Sequence, residues 1–191
     1  MRNSFSIEKV YYLIKTNTCM KKSKLDWILF FIFLTLALAI NAYIIYHACL
    51  NGTKSSEASQ EVVQVSEDVI NTIKPDTINE TNHESFASFI RKAFGHFGLF
   101  VISGLFTSLA IYFFIKDFRW YRFYFGIAIS FTFGFLVALT TEIIQLNVPE
   151  RSGEFTDVLI DSSGYLLGLG IIVLILFLVL RHKKKKETSL E

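Results

Sequence analysis

TEIIQLNVPERSGEFTD, residues 141–157, is a short charged connection between two apolar runs. Five of its seventeen residues are charged: Glu142, Glu150, Arg151, Glu154 and Asp157. Before it lies FYFGIAISFTFGFLVALT, residues 123–140, without a charge. After it lies VLIDSSGYLLGLGIIVLILFLVL, residues 158–180, in which Asp161 is the only charge. Pro149 and Gly153 both favour a turn. Two apolar segments joined this tightly read as antiparallel membrane-crossing helices, because about 20 residues at about 1.5 Å rise traverse a hydrocarbon core of about 30 Å.

The rest of the chain repeats the pattern. Of 191 residues, 52% are hydrophobic and twenty are Phe, which no ordinary water-soluble domain of this size carries. Four runs are long enough to span: Trp27–Leu50, Ala93–Ile115, Phe123–Leu146 and Val158–Leu180. Strand-sized segments of alternating polarity are absent, which argues against a barrel and for helices that satisfy their own backbone in lipid. The fold class predicted is an all-α membrane protein with four transmembrane helices. Its organisation is a basic N-terminal segment (1–26), helix 1 (27–50), a polar segment (51–91), a three-helix region (92–180) and a basic tail (181–191).

Lys and Arg near the ends of the spans set orientation. The N-terminal segment carries Arg2, Lys9, Lys15, Lys21, Lys22 and Lys24; KDFRWYR, residues 116–122, carries Lys116, Arg119 and Arg122; the tail is RHKKKKETSLE. By contrast, residues 51–90 hold two lysines against seven acids, and 147–157 one arginine against three acids. Both termini and KDFRWYR are therefore predicted cytoplasmic, an N-in/C-in topology. The first apolar run is longer than the h-region of a cleaved signal peptide, and YHAC before Leu50 is a poor lipoprotein cleavage site. Met20-Lys-Lys-Ser-Lys reads as a natural start, which would make residues 1–19 a dispensable leader. Cys19 and Cys49 fall on opposite sides of the membrane and form no metal or redox motif.

Within 51–91, NGTKSSEASQ reads as loop. EVVQVSEDVINTI then spaces Val62, Val65, Val69 and Ile73 at helical intervals with acids opposite, and Pro75 ends the pattern. A short extracellular amphipathic helix between helices 1 and 2 is expected, lying on the membrane or on the other helices. The tail lysines read as an anchor to anionic lipid, and FRWYRFYF as an interfacial aromatic belt. Nothing in the charge pattern suggests nucleic acid.

Polar residues converge at one level. Lys92 and His96 open the second span, Glu142 and Gln145 close the third, and Asp157 and Asp161 open the fourth, with Arg151 in the loop. Residues three or four apart share a helix face. Charges within a membrane turn inward and find partners. The expectation is one outward-facing cluster with Asp161 beneath it, acting as a binding pocket or, on the alternative reading, as a structural ion-pair cluster. Phosphate-loop, HExxH, CxxC and GxSxG motifs are absent. Carboxylates and imidazole can ligate metals, but these ligands come from three segments with no diagnostic spacing, so neither metal nor cofactor is expected. No polar residues continue through the inner half of the helices, which argues against an ion or proton conduit. Gly164 and Gly168 extend the stripe of Asp157 and Asp161; small residues at this spacing allow close helix packing, within the chain or in a homodimer through helix 4. Ser162 and Ser163 are expected to hydrogen-bond between helices.

At these residues the chain resembles the VanZ-like family, small bacterial membrane proteins associated with resistance to the glycopeptide teicoplanin. The resemblance runs from about Lys92 to Leu180. It rests on K-xxx-H at Lys92 and His96, E-xx-Q at Glu142 and Gln145, P-x-R at Pro149 and Arg151, then Asp157 and the Gly164–Gly168 pair. Many relatives carry Asn at the position of Asp161, so the acid adds a charge there. The resemblance implies a multi-pass protein of the bacterial cell membrane that lowers sensitivity to lipid-anchored glycopeptides. It implies no reaction. Partners then expected are membrane lipids and a lipid-linked envelope precursor or lipoglycopeptide. A membrane enzyme acting on such a lipid and an assembly partner remain the alternatives.

Overall fold

A computed structural model describes residues 22–115 and 120–188, without the side chains of 120–123, 180 and 183–188. The leader reading for residues 1–19, Cys19, the basic residues up to Lys21, Lys116, Arg119 and the side chains of Arg122 and the tail lysines lie outside the described residues.

Helix α1, Lys24–Ala48, starts where its sequence caps it: the Ser23 hydroxyl accepts from the Asp26 amide at 3.1 Å, and the Ser23 amide donates to the Asp26 carboxylate at 2.8 Å. Helix α2 spans Gly52–Ile73 and α3 His83–Ile90. A π-helical stretch, Arg91–Gly98, carries α3 directly into α4, Leu99–Ile115. Helix α5 covers Trp120–Gln145 and α6 covers Phe155–Thr188. Among the described residues there is no strand. Four helices are long and apolar enough to cross a membrane: Lys24–Ala48, His83–Ile115, Tyr124–Gln145 and Phe155–Val179. The helix that contains the second predicted span, Ala93–Ile115, begins at His83.

The loop reading of NGTKSSEASQ is corrected. Helix α2 already runs through it, because its first turn is held by groups distant in the chain. Asn51 caps the Lys54 amide at 3.0 Å, the Pro149 carbonyl takes the Gly52 amide at 3.2 Å, and the Glu150 carboxylate takes the Thr53 amide at 3.0 Å. Weak local propensity is overridden once the free amides of a helix start find partners. The valine stripe expected to face membrane or protein is exposed in the fold. Val63 instead packs with Ala87 and Ile90.

The core forms around Tyr165, whose ring sits against Gly134 and packs with Ile44, Phe100, Val137, Ala138 and Val158. A Cβ at Gly164 would meet the Phe97 carbonyl, one at Gly168 the Val101 carbonyl, and one at Gly104 the Tyr165 carbonyl. The fourth span thus lies backbone to backbone on the second. Buried hydroxyls and an amide tie the helices: Tyr165 to Ser130 at 3.0 Å, Ser130 to Ser108 at 3.1 Å, and Ser103 to Asn41 at 3.0 Å, so the expectation that no polar residues continue through the inner half of the helices is corrected at Ser108 and Ser130. Ser162 and Ser163 do not serve that purpose. Ser163 donates to the Ile160 carbonyl of its own helix, and among the described residues the buried Ser162 hydroxyl has no hydrogen-bond partner.

Candidate functional site

The close crossing of α4 and α6 brings the π-helical stretch against the first turns of α6, at the end of the bundle where α2 lies. Lys92 reaches across to Asp157 at 2.6 Å and to Glu154 at 3.3 Å. His96 stands 3.2 Å from Asp161 and 3.9 Å from Glu142. Both bases lie in the π-helical segment, an uncommon conformation found often at functional sites. Gly95 and Gly98, poor α-helix formers, were its only trace in the sequence.

Glu142 is oriented from two sides. Gln145, one turn along α5, donates to one carboxylate oxygen at 3.2 Å, and the Glu154 amide donates to the other at 3.0 Å. The connection can fold this close because a Cβ at Gly153 would meet the Glu142 carbonyl. Gly153 is needed for proximity, whereas Glu150 takes the left-handed turn conformation, with φ of 62°. Glu142, Asp157 and Asp161 are all buried, at 4%, 6% and 1% exposure, and among the described residues the Asp161 Oδ2 has no hydrogen-bond partner. Lys92, His96, Glu142, Gln145, Asp157 and Asp161 thus share one polar cluster, with one nitrogen of His96 and one oxygen each of Glu142 and Asp157 within 4.8 Å of one another. A divalent ion fits that donor set by chemistry.

Arg151 does not join them. Its guanidinium donates to the Ser55 hydroxyl on α2, and among the described residues no carboxylate lies within ion-pair distance of it. Burial holds the guanidinium below its ordinary value, and the nearby Arg91 adds to that, while Glu142 and Asp157 act in the other direction. Arg91 approaches Ser56 at 3.4 Å. An open cleft of about 590 Å³ between α2 and α3 is lined by Ser56, Gln60, Glu67, His83 and Arg91, among others. The carboxylates Glu142, Asp157 and Asp161 themselves are buried. Glu154, Ser55, Ser56 and Arg91 were not singled out from sequence. Glu154 was visible only as one loop acid among three, and nothing marked the serines in a segment read as loop.

These features define a class: a polytopic helical membrane protein with a buried carboxylate–imidazole–ammonium cluster at one end of its bundle. The chain belongs to the VanZ/LLP1 family, whose model it matches over residues 30–178. That match takes in most of α1 and all of α2, which the motif resemblance had left outside. No curated protein and no solved structure matches the chain.

Proposed function

We propose that the protein acts in the bacterial cell envelope by binding an anionic group of a lipid-linked precursor or lipoglycopeptide above the polar cluster, lowering sensitivity to teicoplanin-type glycopeptides. The observation that carries this reading is Arg151. A half-buried guanidinium has five donors in a planar fork suited to carboxylate or phosphate. Here it bonds a single neutral hydroxyl, although Glu142 and Asp157 are close enough to act on its charge. An external anion would satisfy the remaining donors, with Arg91 as a second cation beside the α2–α3 cleft. The buried carboxylate cluster then holds the helix ends beneath, and the ligand meets the arginines rather than the acids. Lys and Arg asymmetry supports α2 facing outward, with its exposed valine stripe against the membrane surface.

The test is growth under teicoplanin of cells carrying the chain, Arg151→Lys or Glu142→Gln, with protein level measured in the same cells. Arg151→Lys is expected to lose protection at unchanged protein level, because lysine offers a point charge in place of the fork. Lipid mass spectrometry of the purified protein should show an anionic species that Arg151→Ala loses. Unchanged resistance for both Arg151→Lys and Glu142→Gln, at equal protein level, would make the cluster a packing device and overturn the reading.

A further inference from the structure

We propose that His96, Glu142 and Asp157 hold a first-row divalent metal ion, with the Asp161 carboxylate beside His96. Three segments that carry no metal-binding spacing in the sequence supply these donors, and only the fold brings them together. One donor atom from each of the three lies within 4.8 Å of the others. Around an ion with bonds of about 2.0–2.2 Å, neighbouring ligand atoms stand about 3.0–3.5 Å apart and opposite ones about 4.2 Å. His96 Nδ1 lies 3.9 Å from Glu142 Oε1 and 3.2 Å from Asp161 Oδ1. Side-chain rotation that draws the three donors from within 4.8 Å of one another to the separations around an ion converts the group into a ligand set.

Charge points the same way. Glu142, Asp157 and Asp161 are three carboxylates in the interior of a membrane protein, and Lys92 is the one ammonium bonded to them. With the imidazole neutral, as a metal ligand must be, the group carries two negative charges more than positive ones. A divalent ion balances them. The ion pairs within the cluster do so only in part: Lys92 is engaged by Asp157 and the exposed Glu154, and among the described residues His96 is the one base within ion-pair distance of Glu142 and Asp161, Arg151 acting on Glu142 from beyond that distance.

The independent observation is Asp161. It is 1% exposed, its Oδ1 faces His96, and among the described residues its Oδ2 has no hydrogen-bond partner. A buried carboxylate oxygen without a partner is rare and needs a physical explanation, of which a bound ion is one. Glu142 is meanwhile oriented by Gln145 and by the Glu154 amide, the kind of support that ligating carboxylates usually have. A mixed imidazole and carboxylate set suits Zn²⁺ or Mn²⁺ better than Mg²⁺ or Ca²⁺, which take oxygen ligands.

This inference is independent of an anion at Arg151, and its test reads metal alone. The full chain, purified in detergent without a histidine tag and stripped by chelator, is dialysed separately against Zn²⁺ and Mn²⁺. Bound metal is measured by elemental mass spectrometry, and Mn²⁺ affinity by electron paramagnetic resonance. The expected result is one ion per chain, a higher unfolding midpoint with metal, and affinity reduced about 10–100-fold or more in Asp161→Asn and His96→Gln. Glu80→Gln, at an exposed position before α3, should bind like the starting protein. Substoichiometric metal in the unsubstituted chain would overturn the proposal without reference to any variant. So would bound metal indifferent to Asp161→Asn in protein of unchanged helical content.

Discussion

Glu150 shows how much one side chain can organise. A left-handed backbone costs an L-residue about 1–2 kcal/mol, and Glu150 adopts it in the turn between α5 and α6. What offsets that cost is its carboxylate, which accepts from the Thr53 hydroxyl at 2.6 Å and the Thr53 amide at 3.0 Å at the start of α2. Those two bonds hold the Glu150 carboxyl below its ordinary value of 4.5. A depressed folded-state value contributes stability that is present above the ordinary value and lost as pH falls through the lowered one. Hydrogen exchange at Thr53, corrected for intrinsic rate, should therefore show protection that persists from neutral pH toward the carboxylate range and declines below it. Glu150→Gln should begin less protected at neutral pH and lose this acid dependence. Equal protection in both proteins at every pH would mean that Glu150 does not hold the helix start. In sequence, Glu150 was one loop acid among three; its partner lies 97 positions away.

The fourth span illustrates what spacing along one helix can and cannot say. Gly164, Gly168 and Gly170 look alike in sequence, yet their surroundings differ. A Cβ at Gly168 would meet the Val101 carbonyl and lie 2.9 Å from the Leu105 amide nitrogen, whereas one at Gly170 meets nothing within 4 Å. Gly168→Ala is therefore expected to force the second and fourth spans apart and to cost about 1–3 kcal/mol. Gly170→Ala should be neutral or stabilise by about 0.5 kcal/mol, through lower backbone entropy in the unfolded chain. Reversible unfolding of both variants in the same detergent checks the pair. Equal effects would contradict the close crossing on which the Lys92–Asp157 and His96–Asp161 contacts depend. The π-helical stretch and the first half of α2 escaped sequence reading because both rest on tertiary support. Apolar periodicity, by contrast, is intrinsic to each span.

Topology is a property of the full chain, since every loop's charge contributes to it. The Lys and Arg asymmetry predicts the basic segments inside and α2 and the connection 146–154 outside together. In a chain whose Cys19 and Cys49 are replaced by serine, Ala58→Cys on an exposed face of α2 should react with a membrane-impermeant maleimide in intact cells. An added C-terminal cysteine should react only after lysis. Reaction of Ala58→Cys only after lysis would place the polar cluster at the inner end and remove the envelope reading with it.

The sequence by itself determined the four apolar spans, the absence of barrel patterning and the gathering of Lys92, His96, Glu142, Gln145, Asp157 and Asp161 toward corresponding span ends. Hydropathy and helical periodicity are local quantities, accumulated residue by residue, so they can be read without the fold. Only the tertiary structure decided that His96, Glu142 and Asp157 come within 4.8 Å, that Arg151 turns to Ser55 rather than to an acid, and that NGTKSSEASQ is helix. Such contacts join residues far apart in the chain. They depend on how closely helices approach and at what register, and here that is set by the carbonyls lying against Gly153, Gly164 and Gly168. A glycine records in the sequence that some close approach is permitted; what approaches it is settled by packing.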